Sequence, residues 1–283
     1  MLPWSRGLRK EFLPLYDRGT DGRPVLKPVA HIVVETLIRA GVDRLTVVVQ
    51  PKDVSFVQNY FTVDPVFLER HGDIAERLTE TRRFYDTIAG VHFAFAVQPH
   101  PDGFGDAVLR AGPSVRGRPF LLHAGDAVLF EPQRGFLLRT MADCLQKEDR
   151  DAVLLVRRVA DPRRYGVVEG RFARPFHGVR CLDVTGMVEK PASPRSHWAA
   201  TAVYAFGSGL LPALEAFRRR ERPRELELTD GIRELLRRGA RVAALVLDPA
   251  FGEWRSVGSP DGFARAFART RVLARRSAPG GND

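Results

Sequence analysis

Residues 29–49 read VAHIVVETLIRAGVDRLTVVV and contain a helix followed by a strand. Apolar side chains recur at spacings of three and four over residues 29–40, which predicts an amphipathic helix. Gly41 is a typical stop signal at the end of such a helix. The β-branched run Arg44–Val49 predicts a buried strand. A helix-strand unit of this kind indicates an α/β protein.

The same alternation continues along most of the chain. Further strands are predicted at residues 92–97, 119–123, 152–159, 166–169, 179–188, 199–206 and 241–247, and helices at residues 53–60, 105–111, 131–147, 209–220, 229–238 and 260–276. The pattern predicts one α/β domain over residues 1–276, with a mixed, mostly parallel central sheet flanked by helices. The dense strands of residues 152–206 predict a smaller antiparallel lobe lying over that sheet, and residues 277–283 are expected to be a disordered tail.

The start of the chain departs from this pattern. We predict no strand before the helix at Val29, although sheets of this kind normally open with a central, buried strand. The domain is therefore expected to be incomplete at its N-terminus, with a gap in the middle of the sheet.

Composition excludes several classes of protein. The net charge is +10, but the 44 basic residues include only five lysines, which leaves 39 arginines. Arginines scattered in this way, without interleaved aromatic side chains, do not predict a nucleic-acid site. Cys144 and Cys181 form no CxxC pair and are expected to be reduced thiols. No apolar run reaches about 18 residues, so we expect a cytoplasmic protein that does not span a membrane.

The first segment that could form a functional site is the loop from Gln98 to the helix near Gly105. Gly103 and Gly105 would allow the backbone to approach a ligand closely, and a helix N-terminus offers free N–H groups. Two other interpretations stay open: a tight turn that binds nothing, and a dinucleotide site with Asp126 as the ribose ligand.

The second segment is His123-Ala124-Gly125-Asp126, directly after an apolar strand. The carboxyl ends of strands in open α/β sheets bind ligands, and a carboxylate there suits a hard divalent cation. The alternative is that Asp126 caps the next segment. His123 is more typical of a satisfied histidine at a strand end than of a ligand.

The third segment, Glu189-Lys190-Pro191, ends a long strand. Neighbouring strand residues point to opposite faces unless the strand ends and twists there, and Pro191 marks such an end. Glu189 could accept from sugar hydroxyls and Lys190 could bind a phosphate, whereas a surface ion pair is the plain alternative. Lysines are rare here, and a retained lysine suggests a role for its compact charge.

Two later segments are weak signals on their own. Residues 224–230 form a helix entry, with Thr229 or Asp230 predicted as the N-cap. Residues 254–261, with Pro260 suited to a first helical turn, are predicted as a turn into the last helix. GxSxG and HExxH motifs are absent from the sequence, which gives no support to serine-hydrolase or zinc-protease chemistry.

Taken in order, these segments resemble the sugar-1-phosphate nucleotidylyltransferases, most closely the UTP–glucose-1-phosphate uridylyltransferase branch. Pro3, Ser5 and Lys10 match the family's x-x-P-x-[TS]-K-x-x-P-K segment, with Arg6 and Arg9 replacing its first lysine and second proline. The other matches are Gln98 to Ala107, Asp126, Tyr165-Gly166, Glu189-Lys190-Pro191, Thr201, and Glu225 to Asp230.

The resemblance implies transfer of a nucleotidyl group from UTP or dTTP to a sugar-1-phosphate, with Mg²⁺ as cofactor and no nucleic-acid partner, and it leaves a homo-oligomer open. By analogy the catalytic residues are Lys10, Asp126 and Lys190, with Asp126 also the metal ligand; the nucleotide-binding residues are Gln98, Gly103 and Gly105; and the sugar-binding residues are Tyr165, Gly166, Glu189 and Thr201.

The chain also departs from the family. The G-x-G-T-R loop is expected upstream of Met1. Ser256 stands where the family has a second metal aspartate, while His197 and Ala202 stand where it usually has Asn and Gly. These departures keep two alternatives open: a non-catalytic protein that binds a nucleotide sugar, and an NAD-dependent oxidoreductase.

Overall fold

A computed structural model describes residues 9–70 and 79–275 of the chain, so Pro3, Ser5 and the predicted tail lie outside the described residues. Its helices are α1 (Val29–Arg39), α2 (Val54–Tyr60), α3 (Pro65–Arg70), α4 (Thr79–Ala89), α5 (Phe104–Arg110), α6 (Gly112–Val115), α7 (Phe136–Lys147), α8 (Leu210–Glu221), α9 (Leu228–Arg237) and α10 (Pro260–Arg275). Its strands are β1 (Pro14–Arg18), β2 (Pro24–Pro28), β3 (Arg44–Val49), β4 (His92–Val97), β5 (Phe120–His123), β6 (Ala127–Phe130), β7 (Ala152–Arg158), β8 (Gly166–Phe176), β9 (Val179–Glu189), β10 (Trp198–Phe206), β11 (Val242–Val246) and β12 (Glu253–Ser256).

The helix-strand unit at residues 29–49 is confirmed as α1 and β3. Ile32 and Leu37 of α1 are buried, as the apolar spacing requires, and β3 pairs in parallel with β4 over its whole length. Gly41 takes a φ of +95°, a conformation that favours glycine and ends the helix.

The α/β class and the mixed sheet are also confirmed. The main sheet has the strand order β5-β10-β7-β11-β9-β8. The prediction of a mostly parallel sheet was wrong among the described pairings, since only β3–β4 and β7–β11 are parallel. The predicted lobe lying over the sheet was also wrong: β10 inserts between β5 and β7, and β9 pairs with β11, so strands 152–206 are part of the sheet itself.

A β-hairpin precedes α1, which corrects the prediction that no strand comes before Val29. β1 and β2 pair antiparallel, closed by a turn in which Gly22 has a φ of +78°. The signal was the Asp21-Gly22 pair, a typical hairpin turn. Prolines at both strands obscured it, yet a two-stranded ribbon tolerates them because its outer edges need no N–H donors.

The hairpin does not fill the expected gap in the sheet. Among the described residues β3 pairs only with β4, and β5 pairs only with β10, so each strand has one open edge. Leu45 of β3 and Leu121 of β5 pack against the same hydrophobic cluster. The N-terminal incompleteness of the domain stays a prediction.

Both faces of the main sheet are covered. Val153 and Leu155 of β7 pack into a cluster with α1 and α7, whereas Leu154 and Val156 pack into a second cluster with α8 and α9. This alternation is the period-two pattern of a strand buried on both faces. The site described below lies at one end of this double-sided core.

Short elements were missed because their sequences carry little pattern. β6 follows Asp126, and β12 occupies residues predicted as a turn; the two pair antiparallel, with Ser256 opposite Ala127. The N-cap of α9 is Glu227 rather than Thr229 or Asp230, because the Asp230 carboxylate accepts the Glu227 N–H as the third residue of a capping box. No helix among the described residues is long and apolar enough to span a membrane.

Candidate active site

Lys10 and Asp126 form an ion pair between two turns of the chain. Lys10 lies in the short 3-10 helix Lys10–Phe12, and Asp126 lies in the turn between β5 and β6. The Lys10 Nζ atom is 2.5 Å from Asp126 Oδ2, and both side chains are partly exposed. The structure therefore brings together two of the three residues to which the resemblance assigns catalysis.

Glu11 adds a second carboxylate beside this pair. Its Oε1 atom lies 4.0 Å from Lys10 Nζ, and burial raises the pKa of the Glu11 carboxyl, with Asp126 contributing in the same direction. The sequence analysis missed Glu11. Its position directly after Lys10 was the available signal, but only the fold shows that Glu11 also lies near Asp126.

Ser256 lies against Asp126. A Cβ atom placed on Gly258 would be 3.2 Å from Asp126 Oδ2 and 3.3 Å from Ser256 Oγ, and the Val257 N–H donates to the Asp126 carbonyl at 2.9 Å. Ser256, which the resemblance aligns with a second metal aspartate, therefore lies near Asp126. Oxygen donors of Asp126, Glu11 and Ser256 suit a hard cation such as Mg²⁺, which often takes only one or two carboxylates plus substrate phosphates.

Glu189 and Lys190 form the second part of the site at the end of β9. Lys190 has a φ of +42°, a left-handed conformation that turns the chain after the strand. As a result the two adjacent side chains meet, with Lys190 Nζ 3.1 Å from Glu189 Oε1. This hydrogen bond raises the pKa of Lys190. The twist that the sequence allowed for at Pro191 is thus present.

The helix α9 supplies the other partner of Glu189. Thr229 Oγ1 donates to Glu189 Oε2 at 2.7 Å, and a Cβ on Gly166 would lie 3.3 Å from that same carboxylate oxygen. Glycine at position 166 therefore leaves room for the Glu189 carboxylate. Burial raises the pKa of the nearby Glu227 carboxyl, and the charge of Glu189 acts in the same direction.

Arg157 lies over two aromatic rings, each close in the chain or by a hydrogen bond to one part of the site. Its guanidinium lies 4.6 Å from the ring centre of Trp254, two residues before Ser256. The same group is 5.8 Å from the ring of Tyr165, whose carbonyl accepts the Lys190 N–H at 3.0 Å. The sequence analysis did not single out Arg157, because nothing in the local pattern shows which ring it stacks on.

The glycine loop packs on the protein itself. Gly103 has a φ of +104°, and a Cβ there would overlap the Leu226 backbone. The Gly105 N–H donates to the Leu226 carbonyl at 2.8 Å, and Gln98 Nε2 donates to Gly103 O and Asp106 Oδ2 at 3.0 and 3.1 Å. These contacts explain both glycines without a ligand, so the nucleotide-binding role of Gln98, Gly103 and Gly105 stays a prediction.

Thr201 and His123 have their polar atoms turned inward. Thr201 is fully buried and its hydroxyl donates to the Leu155 carbonyl at 2.9 Å, so its role towards a sugar also stays a prediction. His123 Nδ1 lies 2.8 Å from the Ala124 carbonyl, whereas its buried Nε2 atom has no hydrogen-bond partner among the described residues. Burial lowers the pKa of His123 and favours the neutral imidazole.

The site thus combines lysine and arginine cations with hydroxyl and carboxylate oxygens near the ends of strands, an arrangement that suits phosphorylated ligands in an α/β protein. The nucleotidyl transferase family model matches residues 3–271. The chain belongs to this family and is a nucleotidyltransferase.

Similar proteins agree with this assignment. A UTP–glucose-1-phosphate uridylyltransferase of Mycoplasma pneumoniae is 29% identical in an alignment 286 positions long, which covers 96% of this chain and 88% of that protein. A glucose-1-phosphate thymidylyltransferase of Xanthomonas campestris pv. campestris is 29% identical over 233 residues, which cover 81% of this chain and 63% of that protein.

Solved structures show the same fold. An apo UDP-glucose pyrophosphorylase is 22% identical with a TM-score of 0.80, over 96% of this chain and 94% of that one. A UTP-bound enzyme of Acinetobacter baumannii is 23% identical with a TM-score of 0.78, over 98% of this chain and 90% of that one. None of these comparisons supports the oxidoreductase alternative.

Proposed function

We propose that this protein transfers a uridylyl or thymidylyl group to a sugar-1-phosphate and releases pyrophosphate. Glucose-1-phosphate is the substrate with which the proposal is tested. The observations that support the proposal are two ion pairs, Lys10–Asp126 and Glu189–Lys190, and the position of Arg157 over the rings of Trp254 and Tyr165. The names of the similar proteins supply the base and sugar classes.

The chemistry requires positioning and charge neutralisation rather than a strong base. A sugar-1-phosphate oxygen, already anionic, attacks the α-phosphorus of the triphosphate in line; the bond from that phosphorus to the β-phosphate bridging oxygen breaks, and pyrophosphate leaves with the electron pair. Two anions must approach each other for this reaction. Cations held in advance at the contact therefore lower the barrier.

Each side chain has a proposed task. Lys10 binds the α-phosphate and the departing pyrophosphate, and Lys190 binds the phosphate of the sugar. Glu189, held by Thr229 at 2.7 Å, accepts from sugar hydroxyls. Tyr165 and Gly166 line the same sugar side.

Asp126, with Glu11 and Ser256 beside it, would hold Mg²⁺. Bound there, Mg²⁺ supplies charge neutralisation between phosphate oxygens. In the structure Asp126 Oδ2 is bound by the Lys10 ammonium at 2.5 Å, so this oxygen already accepts a cation. The magnesium ion and the residues that would hold it are proposals for this chain.

The test is a coupled assay of pyrophosphate release with UTP or dTTP, glucose-1-phosphate and Mg²⁺, with the sugar nucleotide identified by mass. We expect both products in equal amounts and loss of turnover in Asp126→Asn. Calorimetric binding of UDP-glucose without any pyrophosphate release would instead establish the non-catalytic alternative, which the neutral Ser256 motivates.

A further inference from the structure

A polar cavity of about 460 Å³ opens on the main sheet away from the site described above. It lies where β8, the first residue of β10 and the last residue of β7 come together, and it is lined by Arg158, Arg171, Arg195, Glu169 and Trp198, among others. None of the residues assigned to the active site lines it. Its volume is in the range of small-molecule sites.

The cavity is displaced from the active site along β8. Gly166 of the active site pairs with Glu189, whereas the cavity is lined by residues 169–171 of the same strand. Three to five strand residues correspond to about 10 to 16 Å. Arg157 belongs to the active site and Arg158 to the cavity. Because consecutive side chains of a strand point to opposite faces of the sheet, these two residues also place the two sites on different faces.

Three arginines, Arg158, Arg171 and Arg195, line the cavity, and none of them forms an ion pair within the part of the chain that the structure describes. Exposed arginines nearby behave differently, for example Arg163, which binds Asp161 at 2.8 Å. Unpaired like charges around one concavity create a positive potential, and guanidinium groups bind phosphate in a bidentate way.

The wall of the cavity is held in place before any ligand arrives. The Val159 N–H donates to the His197 carbonyl at 3.0 Å, and the Trp198 N–H donates to Ser196 Oγ at 3.0 Å. Trp198 stands directly opposite Arg158 in the sheet, so both side chains lie on one face. Phe172, 63% exposed, meets the Trp198 indole edge to face at 6.0 Å.

We propose that this cavity is a second ligand site, which binds a phosphate ester of a hydroxyl-rich molecule. The three arginines bind the phosphate, Glu169 accepts from hydroxyl groups, and Trp198 offers its ring to the apolar face of a sugar or base. Sugar phosphates and nucleotides share this chemistry. The proposal is independent of the catalytic function proposed above.

The test is calorimetric titration of the full chain at low ionic strength with three separate probes: glucose-6-phosphate, UMP and inorganic phosphate. We expect the double variant Arg171→Ser, Arg195→Ser to weaken binding of an ester at least tenfold, because two charge-assisted contacts are lost. Arg174→Ser is the matched control, an exposed arginine of the same strand that does not line the cavity. It should leave the affinity unchanged.

Glu169→Gln tests the hydroxyl contacts and should weaken the esters while leaving inorganic phosphate unaffected. The ratio of glucose-6-phosphate to UMP affinity identifies which class of ester the site prefers. Equal weakening by Arg174→Ser, or inorganic phosphate binding as tightly as both esters, would overturn the proposal. Lys190→Ala, titrated in parallel, changes the active site but no residue of the cavity, so it should leave binding to the cavity unchanged. Failure of the catalytic proposal would therefore not alter the result of the cavity titration.

Discussion

Ser256 and Asp126 flank the same glycine, with a Cβ on Gly258 lying 3.3 Å from Ser256 Oγ and 3.2 Å from Asp126 Oδ2. Both side chains therefore border the same small space, in which the proposed cation would lie. A hydroxyl there contributes no charge, which sets the strength of the proposed metal site.

Ser256→Asp is expected to tighten binding of a divalent cation about tenfold, because a second carboxylate raises the ligand charge. Mn²⁺ titration followed by electron paramagnetic resonance measures this without substrate. The control is Ser259→Asp, which adds the same charge at the N-terminus of α10, where Ser259 Oγ accepts the Gly262 N–H at 3.1 Å. Unchanged Mn²⁺ affinity in Ser256→Asp would contradict the proposed metal position.

Lys190→Ala is expected to lower the turnover of UTP and glucose-1-phosphate by a factor on the order of 10², since a charge-assisted phosphate contact is lost. The matched control is Lys147→Ala. Lys147 and Lys190 are both 60% exposed and both pair with a neighbouring carboxylate, but Lys147 lies on α7 with Asp143. Equal rates in the two variants would remove Lys190 from the reaction.

Ala202→Gly is expected to stabilise the protein by about 1 kcal/mol, because Ala202 has a φ of +59° and a left-handed alanine is strained. The residue lies in β10, where the pairing with β7 shifts register between Ala200 and Tyr204. Urea unfolding measures the change in free energy. Ala200→Gly, in the same strand, should instead destabilise by about 1 kcal/mol; destabilisation in both would show that the strain is absent.

The protein is expected to become less stable as the pH is lowered, because Glu35 becomes protonated. Although burial favours its neutral form, the hydrogen bond to His31 and the charges of Lys27 and Arg134 lower the pKa of Glu35 from 4.5 to about 2. The folded pKa lies below the unfolded one, so this contribution is complete above pH 4.5 and is lost as the pH falls towards 2.

The measurement is urea unfolding at a series of pH values between 6 and 2. The shift corresponds to about 3 kcal/mol. Glu35→Gln should be less stable than the wild type at pH 6 and approach it near pH 2. Parallel curves for the two proteins would show that Glu35 does not carry this dependence.

Gly103→Ala is expected to cost about 3 kcal/mol or more in the absence of any ligand, because the new Cβ would overlap the Leu226 backbone. Gly117→Ala is the control: φ is +76° there, yet nothing lies within 4 Å of the added Cβ. It should cost only the backbone strain, about 1 kcal/mol. Equal costs at the two positions, measured by urea unfolding, would mean that the contact with Leu226 is unimportant.

Local pattern predicted the regular elements well. The helix at α1 and the strand at β3 were recognised because apolar side chains repeat with the period of each structure. The hairpin β1–β2 and the short strands β6 and β12 were not, since segments of only four or five residues carry too little periodicity. The sequence analysis named the twist at Lys190 only as one of two possibilities, because Pro191 marks a strand end without fixing the φ of its neighbour.

By itself the sequence determined the class of the protein, the order of its motifs and the residue types available for phosphate chemistry. Only the tertiary structure decided which of them meet. Lys10 and Asp126 are 116 residues apart in the chain and form one ion pair, whereas Thr201 gives its hydroxyl to Leu155 and the loop glycines pack on Leu226. The physical reason is that periodicity records which face of an element is apolar, while contacts between distant side chains depend on how whole elements pack.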